Sequence, residues 1–168
     1  MSDKILEFYR GGRDDEGRTL DEILDWPDSE LEAVHDFIQW LFPLPERSGA
    51  NPCAPVLDVI TIEDFHRSED LQQRLRQSFL RMLHFYGLAF EGGAVRQGPD
   101  FAARSSNWLS PGNHNHLRLT RMLRSLRLLG LTAESSALFH ALAEIYQNNR
   151  TRITPRTFQF WENAAEVI

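Results

Sequence analysis

The stretch Asn113-His114-Asn115-His116-Leu117-Arg118-Leu119-Thr120-Arg121-Met122-Leu123-Arg124-Ser125-Leu126-Arg127-Leu128-Leu129-Gly130 decides the fold class. Leu119, Met122, Leu123, Leu126 and Leu129 recur at steps of three and four, which places them on one face of an α-helix. An asparagine at the head (Asn113 or Asn115) supplies a cap, and Gly130 is the stop that a left-handed turn needs. The spacing predicts a helix from 113 to 129. Leu117 and Leu128 fall on the opposite side, so this helix is expected to be central and covered on more than one face.

The same period recurs on both sides of it. Upstream, it predicts a helix from about 28 to 42, with Leu31, Val34, Phe37, Ile38 and Leu41 in line. Ser29 with Glu32 reads as its capping box and Pro43 as its end. A second helix is expected from Glu69 to Tyr86, capped by Ser68, aligned through Leu71, Leu75, Phe79, Met82 and Tyr86, and stopped by Gly87. A shorter one, opening at Thr61, precedes it. Downstream, helices are expected over 134–147 and from Thr154-Pro155 to Glu166, where proline suits the first turn. Residues 91–112, punctuated by Gly92-Gly93, Gly98-Pro99 and Pro111-Gly112, read as one long loop. No repeat or linker interrupts the chain. The expected fold is all-α: a single compact multi-helix domain spanning 1–168, with five to seven helices around one core.

Composition sets the outer limits. The chain has 168 residues, 42% of them hydrophobic, which is the scale of one folded domain and excludes disorder as the main state. Its formal charge is −6, which does not favour a general polyanion binder, since such proteins carry a large positive excess. The charge is uneven: residues 1–46 hold 13 acidic and four basic side chains, the remainder 11 and 14. The single cysteine, Cys53, cannot form an internal disulfide, and nothing beside it in sequence stabilises a thiolate. The first residues carry charges where a signal peptide is apolar, and no window approaches the about 20 apolar residues of a membrane span. A soluble, cytoplasmic protein is expected. One lysine against seventeen arginines fits a GC-rich, bacterial genome.

Particular strings carry a resemblance. Leu6-Glu7-Phe8-Tyr9-Arg10-Gly11, His35-Asp36-Phe37-Ile38-Gln39-Trp40-Leu41-Phe42-Pro43-Leu44, Phe79-Leu80-Arg81-Met82-Leu83-His84-Phe85-Tyr86-Gly87, Asn107-Trp108 and His114 to Leu126 resemble the opioid growth factor receptor conserved domain. The likeness covers nearly the whole chain and weakens after about Leu131. It implies a receptor-type binding domain: animal members are described as receptors for an enkephalin-type opioid peptide at nuclear membranes. Their repeat-rich tail and basic localisation segments have no counterpart here, so the chain reads as a bare, stand-alone bacterial version. The resemblance supplies no catalytic residues.

Polar side chains that invite a ligand gather between Asn107 and Arg121. A helix start offers free N–H groups and a partial positive charge, which attract carboxylate or phosphate. Arg118 and Arg121, three apart, share a flank on which they can fork an anion; His114 and His116 add donors. The plainer alternative is that an asparagine caps the helix while the arginines pair with acids of residues 1–46. His114-x-His116 supplies too few ligands for a closed zinc site, and no metal or cofactor is expected. His35, His66, His84 and His140 read as hydrogen-bonded packing residues. Trp40, off the apolar stripe of its helix, and Trp108 in the long loop are expected to pack; left uncovered, they would wall a groove over the arginines. Arg118, Arg121, Arg124 and Arg127 drift around the helix and form no straight basic stripe.

The expected function is non-enzymatic recognition of a peptide, a small anionic ligand or a protein partner. The expected ligand-binding residues are Trp40, Asn107, Trp108, His114, Asn115, His116, Arg118 and Arg121. An enzyme acting on an anionic substrate through a His/Arg site is the alternative, and nucleic-acid binding through the arginines the weaker second.

Overall fold

Short helices build the first part of the chain and long ones the second. The computed structural model describes residues 3–166, and they fall into two units that divide after Phe79. Ten helices, 59% of the chain, and one two-stranded sheet are seen among the described residues. The fold is mainly helical, as expected, but carries a small sheet and more helices than five to seven. The additional helices are mostly too short to show a period.

Unit 1 contains α1 (Asp3–Tyr9), α2 (Leu20–Leu24), α3 (Asp28–Ala33), α4 (Ile38–Leu41), α5 (Val59–Arg67) and the first part of α6 (Glu69–Tyr86). Such short helices are marginal by themselves and depend on burial. Phe8 and Tyr9 supply it from α1: Phe8 lies 5.3 Å from the Trp40 ring and Tyr9 5.2 Å from Phe65. The Tyr9 hydroxyl donates to the Leu41 carbonyl at 2.6 Å and meets the Ser78 hydroxyl at 3.0 Å. Burial pushes the Tyr9 pKa up, with the Ser78 bond and the Arg74 charge opposing. At the rim, Arg18 joins Asp14 (2.8 Å) and Asp36 (2.9 Å). Burial works against the Arg18 charge, but the bonds to both carboxylates outweigh it and raise its pKa.

Three sequence expectations fail in this unit. The helix expected over 28–42 is broken: α3 ends at Ala33, Val34 is extended (φ −94°, ψ 132°), and α4 begins at Ile38. The break lets Phe37 pack edge-on against Trp26 at 5.6 Å, a tertiary gain that overrides the helical period. The Ser29/Glu32 capping box is absent because the N-cap is Pro27, two residues earlier, with its carbonyl accepting from Glu30 and Leu31. The cap of α5 is Asp58, whose side chain accepts from the Thr61 N–H at 2.8 Å, and Thr61 itself is buried. The cap of α6 is Ser68, as read from sequence.

Unit 2 continues from the last turns of α6 into β1 (Leu88–Glu91), β2 (Ala94–Gln97), α7 (Phe101–Ser105), α8 (His114–Leu128), α9 (Thr132–Gln147) and α10 (Pro155–Glu166). The long loop expected over 91–112 is therefore largely structured, as an antiparallel hairpin and a short helix. Its two-residue turn, Gly92-Gly93, has φ +58° and +79°, values that glycine adopts without strain. α8 packs against α9 and α10, and β2 lies on α9. Leu119, Met122, Leu123, Leu126 and Leu129 are buried as the period required. Leu117 is 68% exposed, so α8 is not covered on every face.

Candidate functional site

The start of α8 gathers most of the residues singled out from sequence. Asn113 is the cap: extended at ψ 135°, it accepts the Asn115 N–H on its side chain at 2.9 Å and the His116 N–H on its carbonyl at 3.0 Å. Its amide nitrogen donates to the Asn107 carbonyl (2.9 Å) and the Ser110 hydroxyl (3.1 Å), which ties the preceding segment to the helix mouth. The amides of Asn115 and His116, which the sequence argument offered to an anion, are occupied by this cap.

Behind the cap lies an enclosed aromatic and polar cluster. Trp108 is fully buried and donates from Nε1 to the Tyr86 carbonyl at 3.1 Å. The Tyr86 hydroxyl donates to Asn115 Oδ1 at 3.2 Å. The ring of His116 stands edge-on to Trp108 (6.4 Å) and to Trp161 (5.7 Å). Its Nε2 lies 2.7 Å from the Trp108 carbonyl, and its own carbonyl accepts from Trp161 Nε1 at 3.2 Å. A carbonyl only accepts, so Nε2 bears the proton and Nδ1 is bare. That Nδ1 is buried without a hydrogen-bond partner. Burial lowers the His116 pKa, the bond to the Trp108 carbonyl opposes this, and His114 nearby adds to it. The imidazole is neutral near pH 7.

The structure thus brings Trp108, Asn115 and His116 together in the interior. Arg118, 5% exposed, and the half-buried Arg121 both have interaction partners within the protein. Asn107 and His114 are exposed. Trp40 is 3% exposed in unit 1, against Phe8. Farther along α8, Arg127 Nε donates to the Ala164 carbonyl at 3.2 Å, and burial, helped by the Arg124 charge, lowers its pKa. Among the described residues no three His, Cys, Asp or Glu side chains assemble as metal ligands, and no helix is long and apolar enough to cross a membrane.

Two depressions were not anticipated from sequence. One, of about 630 Å³, runs along Tyr9, Arg10, Asp70 and Leu71 beside the Arg74–Asp21 ion pair of 2.8 Å. The other, of about 310 Å³, lies between β2 and α9. The signal for the second was present in Gly92-Gly93, a hairpin turn once Leu88 to Phe90 and Val95 are taken as short strands.

Residues 5–165 match the sequence profile of the opioid growth factor receptor (OGFr) conserved region. The chain belongs to this family. It is 41% identical over 121 residues to the opioid growth factor receptor of Mus musculus, covering 68% of this chain and 19% of that protein. With the Homo sapiens receptor the identity is 40% over 134 residues, 75% of this chain and 20% of the relative. The opioid growth factor receptor-like protein 1 of Xenopus tropicalis is 38% identical over 120 residues, 68% of this chain and 23% of the relative. The chain therefore spans about a fifth of the length of these relatives. No solved structure matches it.

Proposed function

We propose that residues 1–168 act as a single opioid growth factor receptor-like domain whose task is non-enzymatic recognition of a short peptide or small anionic ligand. Family membership supports this reading, and one structural observation carries it. The hydrogen bonds of Asn113, Trp108 and His116 fix the start of α8 rigidly, while Leu117 is left 68% exposed on it. His114, Leu117 and Arg121 follow at i, i+3 and i+7 and share a flank. An apolar anchor between an imidazole and a guanidinium suits a peptide that carries a carboxylate. Asn107 is exposed in the segment that precedes the helix start. Trp108, Asn115, His116 and Arg118 are buried behind the flank and keep its backbone in place, and Trp40 acts through the packing of unit 1. His116, between two indoles with Nε2 on a carbonyl, is placed to hold a loop rather than to move a substrate's proton.

The test is a titration of the full chain with labelled opioid growth factor, the ligand in the relatives' name, and with a scrambled control. Saturable binding is expected for the former only, with a loss of about tenfold in both Leu117→Glu and Arg121→Glu. Equal binding of the control, or unchanged affinity in both variants, overturns the reading.

A further inference from the structure

The corner between α9 and α10 is basic and acid-free. From Ile145 to Trp161 the chain has three arginines, Arg150, Arg152 and Arg156, and no aspartate or glutamate. All three are exposed, and no acid among the described residues pairs with any of them. The acids that bound the run are Glu144 and Glu162. Glu144 is balanced by Arg96 across the depression between β2 and α9, and Glu162 is half-buried. The backbone of the corner is fastened. The N–H groups of Arg152 and Ile153 both donate to the Asn149 carbonyl, at 2.9 and 3.0 Å, and Ile153 is fully buried. Thr154 Oγ1 then accepts the Thr157 N–H at 3.1 Å and caps α10. The chain from Arg150 to Arg156 spans at most about 22 Å even if extended, and these turns shorten it, so the three guanidiniums act on one short stretch of ligand.

Two of the three guanidiniums lie over rings. Arg150 Cζ is 5.2 Å from the centre of the Tyr146 ring. That ring stacks on Phe158 at 4.3 Å and 5° with its other face. Arg156 Cζ is 5.6 Å from the ring of Phe160, one turn further along α10. Phe160 is 42% exposed, so its ring is open to a partner beside the guanidinium. An arginine has five N–H donors. Among the described residues, Arg150 gives one of them to Gln147 Oε1 at 2.8 Å and Arg156 gives none. Most of the donors are therefore available to an anion while the planar groups stay over the rings.

We infer that this corner binds a short single-stranded nucleic acid. Phosphates pair with Arg150, Arg152 and Arg156, and a base stacks on Phe160 beside Arg156. Basic groups interleaved with open rings are how proteins hold single strands without reading their sequence. The formal charge of −6 does not oppose this. Exposed charges beyond a Debye length of about 8 Å are largely screened at physiological salt, so a short strand responds chiefly to the acid-free run. Phe160 selects the occupant. An anionic lipid headgroup or the acidic surface of a second copy would use the arginines, but neither brings a flat ring to stack on the phenyl. The corner shares no residue with the proposed α8 flank and does not depend on it.

The experiment titrates the full chain into a fluorescein-labelled oligothymidylate of ten residues, read by anisotropy, with an abasic strand of the same length and charge beside it. Saturable binding is expected, tighter for the thymidylate, with a log–log salt slope of about −2 for three neutralised phosphates. Phe160→Ala should weaken the thymidylate by at least about fivefold and leave the abasic strand nearly unchanged, while Phe160→Trp retains binding of both. Arg152→Glu should weaken both strands and flatten the salt slope. Arg96→Glu, the same change of charge outside the run, should do neither. Four results overturn the proposal: no saturable binding, an abasic strand bound as tightly as the thymidylate, capture by phosphatidylserine vesicles that the thymidylate does not displace, or self-association of the chain that Arg152→Glu abolishes.

Discussion

The start of α8 and the outer edge of β2 both set backbone amides near arginines, yet they end in opposite states. At α8, the amides of Asn115 and His116 are taken by Asn113, and Trp108, Asn115 and His116 complete one another's hydrogen bonds. At β2, the outward groups of Val95 and Gln97 have no partner among the described residues. A polar-rich helix start can be a fastening, because its capping residues are drawn from the same types that bind ligands. A bland four-residue strand can leave backbone groups unpaired, because an edge strand is bonded on one side only.

Perturbing the fastening should have the largest effect. Trp108→Ala removes a fully buried indole and its bond to the Tyr86 carbonyl, and should cost about 3–5 kcal/mol in a denaturant titration. A loss below about 1 kcal/mol would mean that the start of α8 is not held from within. Gly87→Ala should come next. Gly87 has φ +80°, and an added Cβ would lie 2.8 Å from Phe101 Cα, so a cost of at least about 2 kcal/mol is expected. Because the Gly87 carbonyl sets the hairpin register, the Val95 and Gln97 amide signals should move in this variant.

The pH response distinguishes the two regions more finely. Folding holds the His116 pKa below its ordinary value, so the unfolded chain binds that proton more readily. The stabilising contribution is complete above about pH 6.5 and is lost as pH falls toward the folded value, by up to about 1.4 kcal/mol per pH unit. His116→Gln should flatten this slope relative to the parent between pH 7.5 and 5. A slope equal to the parent's would show that His116 is not the group responsible. Smallest of all, Leu117→Glu and Arg96→Glu alter exposed side chains and should shift stability by no more than about 0.5 kcal/mol. A larger loss in either would reveal a packing role for that side chain.

Long, capped helices were legible from the amino acids. Ser68, Asn113 and Thr154-Pro155 mark the starts of α6, α8 and α10, because each cap acts within a few residues of itself. Gly87 and Gly130 carry the positive φ expected of stops. The break at Val34 was not legible, since it answers to Phe37 packing on Trp26, a contact remote in sequence. The hairpin was missed because four residues per strand give too little alternation to stand out from a loop. At the candidate site, the gathering of Trp108, Asn115 and His116 could be read, but not the direction they face. Direction depends on Tyr86 and Trp161, which reach the cluster from 29 and 45 residues away.

Placing an imidazole between Trp108 and Trp161 has an optical consequence. A charged imidazole accepts an electron from an excited indole far more readily than a neutral one, so acquiring the proton should dim the emission of both tryptophans while they are still in place. The part of the intensity contributed by Trp108 and Trp161, separated from that of Trp26 and Trp40 by replacing those two with Phe, would then follow the charge of a single buried ring.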